Sequence, residues 1–327
     1  MTAQIIHHLW QSTLCAGVAW ALAATLRRYS ARLRYLVWLV ASLKFVVPFS
    51  ALMALGLALR PSVWHGVSFI QAGFLDSAAL FVQPTFSASI TQPVLLGTSL
   101  GVLITLVWGI GSAVVFTSWI LRWLRIRSIV SAALPYSLNV PIDVRVSAAV
   151  GAPCVFGIFE PVLLLPYKVI SRMSAAELSA VCEHELCHVR RCDNMMAALH
   201  MLVTGIFWFH PVVWWIGRHL LEERERACDE HVIESGTIPR VYAEGILKAC
   251  HVSIESRLEL AASASGGHLQ KRIEAIVRSR PTKQLGVLGR AGLIFMGCAV
   301  LAVPVSAGVA ASRVLVAVRL PIGLSRR

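Results

Sequence analysis

Apolar side chains dominate four stretches of the chain, at residues 5–26, 35–59, 94–120 and 291–312. Only the second holds a charge, Lys44. Each is long enough to cross a bilayer, which takes about 20 residues as a helix. Between the third and fourth the pattern changes. Ile142–Pro166 reads as strand: Val144-Arg145-Val146 and Val162-Leu163-Leu164-Leu165 are apolar and β-branched, punctuated by Gly151, Pro153, Gly157 and Pro161. Ser174 to about His200 follows a helical period. Met195–Ile216 carries no charge, and His210-Pro211 marks a turn, since proline breaks a helix interior. This stretch reads as a buried or shallow re-entrant hairpin. The patterning predicts a mainly α membrane protein of about four transmembrane helices with an inserted α+β domain. Its boundaries are an N-terminal membrane region at 1–121, the inserted domain at 122–290, a fourth span at 291–312 and a short tail at 313–327.

Charge sets the orientation. No basic residue precedes the first stretch, whereas Arg27, Arg28, Arg32 and Arg34 follow it. It therefore reads as an uncleaved anchor whose following loop is cytoplasmic. The segment 61–93 holds one charge, Asp76, and is expected outside; Arg122, Arg125 and Arg127 lie where the third stretch emerges inside. The N-terminus is then outside and residues 122–290 are cytoplasmic. The tail would be outside despite Arg313, Arg319, Arg326 and Arg327, against the positive-inside rule.

The composition agrees with a membrane protein, at 57% apolar and a mean hydropathy of +0.69. The net charge of +13 does not point to nucleic acid. Residues 122–290 hold 20 basic and 16 acidic side chains, and the rest of the excess flanks the apolar stretches, where it serves topology and contact with anionic lipid. The eight cysteines include no C-x-x-C pair and read as free thiols in a reducing cytosol.

The candidate chemistry sits at His184-Glu185-Leu186-Cys187-His188, an H-E-x-x-H pattern. On a helix, positions i and i+4 share a face, so both imidazoles can hold one zinc ion. Glu185 stands beside the open position, where it can move a proton between water and a leaving amine. A zinc site needs another protein ligand. Downstream, Glu225 and Asp229 share a face of a second predicted helix. If the two helices pack antiparallel, Glu225 completes the set and Asp229 orients an imidazole. Spacing alone leaves Glu222 open as the alternative. His219 and His231 flank the third ligand as candidates to assist an oxyanion.

The run from His184 to Glu234 resembles the BlaR/MecR-type antirepressor membrane metallopeptidases, metallopeptidase family 56. The likeness covers H-E-L-x-H-x-x-R-x-D-N, F-W-F-x-P-x-V-W-W and E-R-E-x-A-C-D. It extends to His8–Thr13, to Ser42-Leu43-Lys44-Phe45 and to Val155–Pro161. The resemblance implies a gluzincin-like zinc metallopeptidase domain, with His184, His188 and Glu225 as zinc ligands and Glu185 as the catalytic base. It also implies a cytoplasmic transcriptional repressor as substrate, cleaved in response to a cell-envelope signal. The alternatives are a membrane-protein quality-control protease and a non-enzymatic transducer. The family's sensing members carry a penicillin-binding-like domain after the last span. Only about fifteen residues follow here, without an S-x-x-K or K-T-G cluster. With that departure, either the signal enters through the spans and outer loop or a separate sensor protein receives it; a homodimer is a further candidate partner. Lys271-Arg272 and Arg278-Ser279-Arg280 read as membrane-flanking basic residues or self-cleavage sites.

Overall fold

The computed structural model describes residues 2–48, 94–258 and 266–278, with isolated positions at 52, 55, 286, 289, 291, 292, 297 and 306. Most of the second half of the second span, the segment 61–93, the fourth span and the tail lie outside the described residues. The chain divides into two compact units. One comprises Met1–Trp20, Val40–Thr98 and Gln284–Arg327, the other Ala21–Leu39 and Ser99–Lys283.

In the first unit, helices α1 (Thr2–Thr25) and α2 (Ala31–Lys44) share a polar cluster. The Lys44 ammonium donates to Ser12 Oγ at 3.0 Å and lies 3.4 Å from His8 Nδ1, and His8 Nε2 donates to the Phe45 carbonyl at 2.8 Å. A cation within an apolar segment is costly unless paired, and these partners supply the pairing. Among the described residues, Ile5–Arg28 and Leu100–Ala132 are long and apolar enough to cross a membrane. The latter is most of α3 (Val94–Ala132), apolar all round and almost wholly exposed.

In the second unit a sheet follows α3: β1 (Leu134–Pro135), β2 (Asp143–Ser147), β3 (Cys154–Phe156) and β4 (Val162–Pro166), in the order β1-β2-β4-β3. β2 and β4 run parallel, with Val144 opposite Leu163; the other pairs are antiparallel. Strand alternation explains its two faces. Leu163 and Leu165 pack with Val144, Cys182 and Leu178, whereas Leu164 packs with Val130 and Ala133 at the end of α3. β3 is an edge strand.

Helices complete the unit: α4 (Tyr167–Arg172), α5 (Ala175–Arg190), α6 (Asp193–Ile206), α7 (Pro211–Glu234), α8 (Pro239–Leu258) and α9 (Gly266–Val277). A capping box starts α5. Ser174 Oγ accepts from the Glu177 amide, and the Glu177 carboxylate accepts from the Ser174 amide at 2.7 Å. Glu177 also meets Lys248 of α8 at 2.7 Å. The buried Arg34 ties α2 to α7, donating from Nε to Glu223 at 2.8 Å.

The sequence pattern predicts one helix from Ser174 to about His200, and the structure breaks it. Cys192 takes a left-handed conformation, φ 54°, between α5 and α6. The break lets the next residues fold back: Asp193 reaches His188, and Asn194 Nδ2 donates to the Val155 and Gly157 carbonyls at 3.1 and 2.9 Å. A continuous helix would carry both side chains away from α5. His200 therefore belongs to a separate helix, packed against Gly217 of α7.

Candidate metal centre

Helix α5 sets His184 and His188 one turn apart, ring centroids 4.9 Å from each other. Helix α7 brings Glu225 against both. Its Oε2 lies 3.5 Å from His184 Nε2 and its Oε1 3.8 Å from His188 Nε2. The three side chains offer ligand atoms all within 4.8 Å of one another. Two donors about 2.1 Å from a tetrahedral ion lie about 3.4 Å apart, so this spacing suits one zinc ion. Glu222 goes elsewhere, to His219 at 3.8 Å and Arg226 at 4.0 Å. Spacing favoured Glu225 but left Glu222 open; packing puts Glu225, not Glu222, against both imidazoles.

The remaining ring nitrogens are also engaged. His188 Nδ1 donates to Asp193 Oδ2 at 2.8 Å, and Cys228 Sγ sits 3.4 Å from the same nitrogen. His184 Nδ1 lies 3.4 Å from Asp229 Oδ1, with Tyr242 of α8 between them. The Tyr242 hydroxyl donates to Asp229 at 2.6 Å and accepts from His184 Nδ1 at 2.7 Å. Each imidazole is thus held by a carboxylate on its far side and turns Nε2 toward Glu225, the tautomer a metal needs.

Arg272 of α9 completes the network. Its Nε and Nη2 clasp Asp229 Oδ2 and Oδ1 at 2.8 Å each. Nη1 lies 3.2 Å from Glu225 Oε2 and Nη2 3.2 Å from His184 Nε2. Charge therefore accumulates in a buried place. Burial opposes the His184 cation, but bonds to Asp229 and Glu225 outweigh it and raise its pKa to about 9. Burial likewise opposes the Glu225 anion, yet His184 and Arg272 hold its carboxyl well below the usual range. Asp229 is lowered for the same reasons.

A cleft of about 310 Å³ opens over these groups. Glu185 lines it beside His184 and His188, with Arg272, Tyr242 and Asn194 on its walls. β3 borders the cleft through Cys154 and Val155. His219 and His231 do not line it. His219 stacks on Trp38 at 4.5 Å, and His231 joins Glu183 and Arg190 at the surface. Three participants escaped the sequence reading as members of the site: Asp193, Tyr242 and Arg272. The expectation that Arg272 flanks the membrane or marks a cleavage site is corrected by its place among Asp229, Glu225 and His184. The only sequence signal for it was a basic residue on a short amphipathic segment.

Known proteins match parts of this chain. The regulatory protein BlaR1 of Bacillus licheniformis is 31% identical over 154 residues, 46% of this chain and 25% of its own length. The methicillin resistance mecR1 protein of Staphylococcus aureus (strain Mu50 / ATCC 700699) is 29% identical over 93 residues, 28% of this chain and 16% of its own. The mecR1 protein of Staphylococcus epidermidis matches to the same extent. The chain thus aligns with a quarter or less of these relatives' lengths. A family model described as BlaR1 peptidase M56 matches residues 5–276, most of the chain. With the paired imidazoles and their carboxylate inside that match, this chain belongs to the BlaR1 peptidase M56 family.

Proposed function

We propose that the protein is an integral-membrane zinc endopeptidase of the antirepressor type, which cleaves a cytoplasmic transcriptional repressor in response to a cell-envelope signal. One observation carries the chemistry. Two imidazoles on one helix turn their Nε2 atoms onto a single carboxylate, while carboxylates hold both Nδ1 atoms. His184, His188 and Glu225 would hold Zn2+, which supplies a Lewis acid for the peptide carbonyl and lowers the pKa of water at the site.

The chain's own residues do the rest. Glu185, on the cleft wall beside both histidines, takes the proton from the attacking water and delivers it to the departing amine. Asp229, with Tyr242, fixes the tautomer of His184, and Asp193 fixes that of His188. Arg272 brings a fixed positive charge toward the cleft, where charge develops on the scissile carbonyl oxygen. The edge of β3 offers an extended substrate segment backbone partners beside the site. In this reading residues 5–26, 35–59, 94–120 and 291–312 span the membrane and the domain at 122–290 faces the cytoplasm. The relatives' names, a regulatory protein and a methicillin resistance protein, support a regulatory role linked to antibiotic response.

The test is Glu185→Gln. This variant keeps both histidines and the side-chain shape but removes the proton acceptor, whose loss costs on the order of 10²–10⁴ in rate. Cleavage of a co-expressed repressor should fall by that factor with zinc content unchanged. Wild-type signalling in Glu185→Gln cells would replace this reading with the non-enzymatic transducer.

A further inference from the structure

Helices α6 and α7 meet in a tip, Phe207–His210, that is packed against the middle of α3 within the same unit. The Trp108 indole of α3 donates to the Ile206 carbonyl at 2.9 Å, and the Trp208 indole donates back to the Trp108 carbonyl at 3.2 Å. The approach is close. A Cβ on Gly111 of α3 would lie 2.2 Å from the Trp208 ring, and one on Gly205 would lie 2.5 Å from Phe116. Only glycine fits at either position. Trp108 also lies one residue from the midpoint of the apolar stretch 94–120.

A second contact gives the depth independently. Trp215 of α7 packs edge-on against Trp38 of α2 at 5.0 Å, and Trp38 lies just inside the apolar stretch 35–59, about 5 Å past its boundary by helical rise. Helix α7 begins at Pro211, four residues or about 6 Å before Trp215, and the turn Phe207–His210 lies beyond it. With α7 along the membrane normal, the tip is then more than about 11 Å deep in a hydrocarbon layer of about 30 Å. Trp108, twelve residues from the cytoplasmic end of its stretch, is about 18 Å deep by the same rise.

The surface of the hairpin suits that place. Leu202, Phe209 and Trp214 are 50%, 46% and 48% exposed, and no charge occurs between Met195 and Gly217. Backbone carbonyls at the tip find partners within the protein. The Trp214 indole donates to the Trp208 carbonyl at 2.7 Å, and the Trp108 indole satisfies the carbonyl at the end of α6. Internal satisfaction is what the hydrocarbon layer demands of non-helical backbone.

We propose that the α6–α7 hairpin re-enters the bilayer from the cytoplasmic side, with lipid tails as the occupant of its apolar face. The inference rests on the reading of α2 and α3 as membrane spans. It has a consequence for the substrate. Glu225 follows Trp215 by ten residues, about 15 Å toward the cytoplasm, so the cleft opens roughly 10 Å beyond the hydrocarbon boundary, in the headgroup layer. The substrate segment is cleaved at the membrane surface, not in the bulk cytosol.

Nitroxide labels test this on the zinc-loaded protein in phosphatidylethanolamine–phosphatidylglycerol vesicles. They are placed singly at Phe209→Cys, Val114→Cys and Arg240→Cys, in a background with the exposed Cys192 replaced by Ser. Val114 is an exposed position on α3, and Arg240 is an exposed position on α8. The Phe209 and Val114 labels should both be open to oxygen and closed to a nickel chelate, with Phe209 the deeper, since Val114 lies six residues, about 9 Å, inside the cytoplasmic end of its stretch; the Arg240 label should meet the chelate freely. A Phe209 label in water beside a Val114 label in lipid overturns the hairpin and leaves the spans standing. Both labels in water overturn the spans, and the hairpin with them. A Phe209 label closed to both probes means that protein, not lipid, covers the tip, and this too overturns the proposal.

Discussion

Removing one oxygen from the site, by Tyr242→Phe, isolates the relay between Asp229 and His184. Tyr242 is fully buried, and phenylalanine fills the same space, so the change opens no cavity beyond the oxygen itself. Two hydrogen bonds disappear, at 2.6 Å to Asp229 and 2.7 Å from His184. A bond to a charged group is worth about 1.5–3 kcal/mol, which would suggest up to a hundredfold weaker zinc binding. The geometry argues for less. Asp229 stays clasped by Arg272 at 2.8 Å through both oxygens, and its Oδ1 is already 3.4 Å from His184 Nδ1. A shift of about half an ångström makes that contact a direct hydrogen bond. The expected loss is therefore about tenfold in zinc affinity, the low end for a group that orients a metal ligand. Asp229→Asn should cost more, because it leaves the Arg272 guanidinium underpaired in a buried place. Competition with a chromogenic chelator on purified protein measures both, with thermal unfolding as the control for folding. Affinity within twofold of wild type in Tyr242→Phe would remove Tyr242 from the relay. Complete loss of zinc would show that Asp229 cannot reach the imidazole, and the argument from the 3.4 Å contact would be wrong.

Two other outcomes follow from the same packing. Glu225→Ala should lose most of the bound zinc, measured by elemental analysis, whereas Glu222→Ala should keep it, since its carboxylate faces His219 and Arg226; zinc stripped by Glu222→Ala alone would reverse the assignment. Glu177 is held below its ordinary carboxyl pKa of 4.5, first by Lys248 and then by the Ser174 amide. A lowered carboxylate stabilises the fold above its unfolded pKa, and that contribution disappears as pH falls through the lower folded value. Glu177→Gln should therefore melt below wild type at pH 7, and the gap should narrow as pH drops beneath about 4.5; a gap that widens on acidification would mean that Glu177 is not the group that titrates.

What the sequence carried, and what it withheld, divides by range. His184, His188, Glu225 and Asp229 were legible because each pair sits one turn apart, and helical spacing is a local property. The small sheet was legible because Val162–Leu165 is a short apolar run punctuated by Gly157, Pro161 and Pro166, too short for a buried helix. Even the Ser174 cap can be read from a Glu three residues on. Arg272 was not legible. Its partners lie 43 to 88 residues away in sequence, and nothing about a lysine–arginine pair on a short helix says which carboxylate it will find. Asp193 was hidden for a different reason. Five residues past His188 it would leave the metal face of an unbroken helix, and only the left-handed turn at Cys192 brings it back. The hairpin combines both cases. Its lack of charge was plain in the sequence, but apolarity alone suits a buried core, a re-entrant loop or a full crossing equally well. A full crossing was already excluded, because it would part Glu225 from His184. The choice between the remaining two needed a ruler, and the structure provides it in the register of Trp208 against Trp108 and of Trp215 against Trp38. These two contacts, made on helices read as spans, both put the tip well inside the apolar stretches. They tie the third ligand's helix to α2 and α3 directly, so a movement of either span relative to the hairpin has a short mechanical path to Glu225.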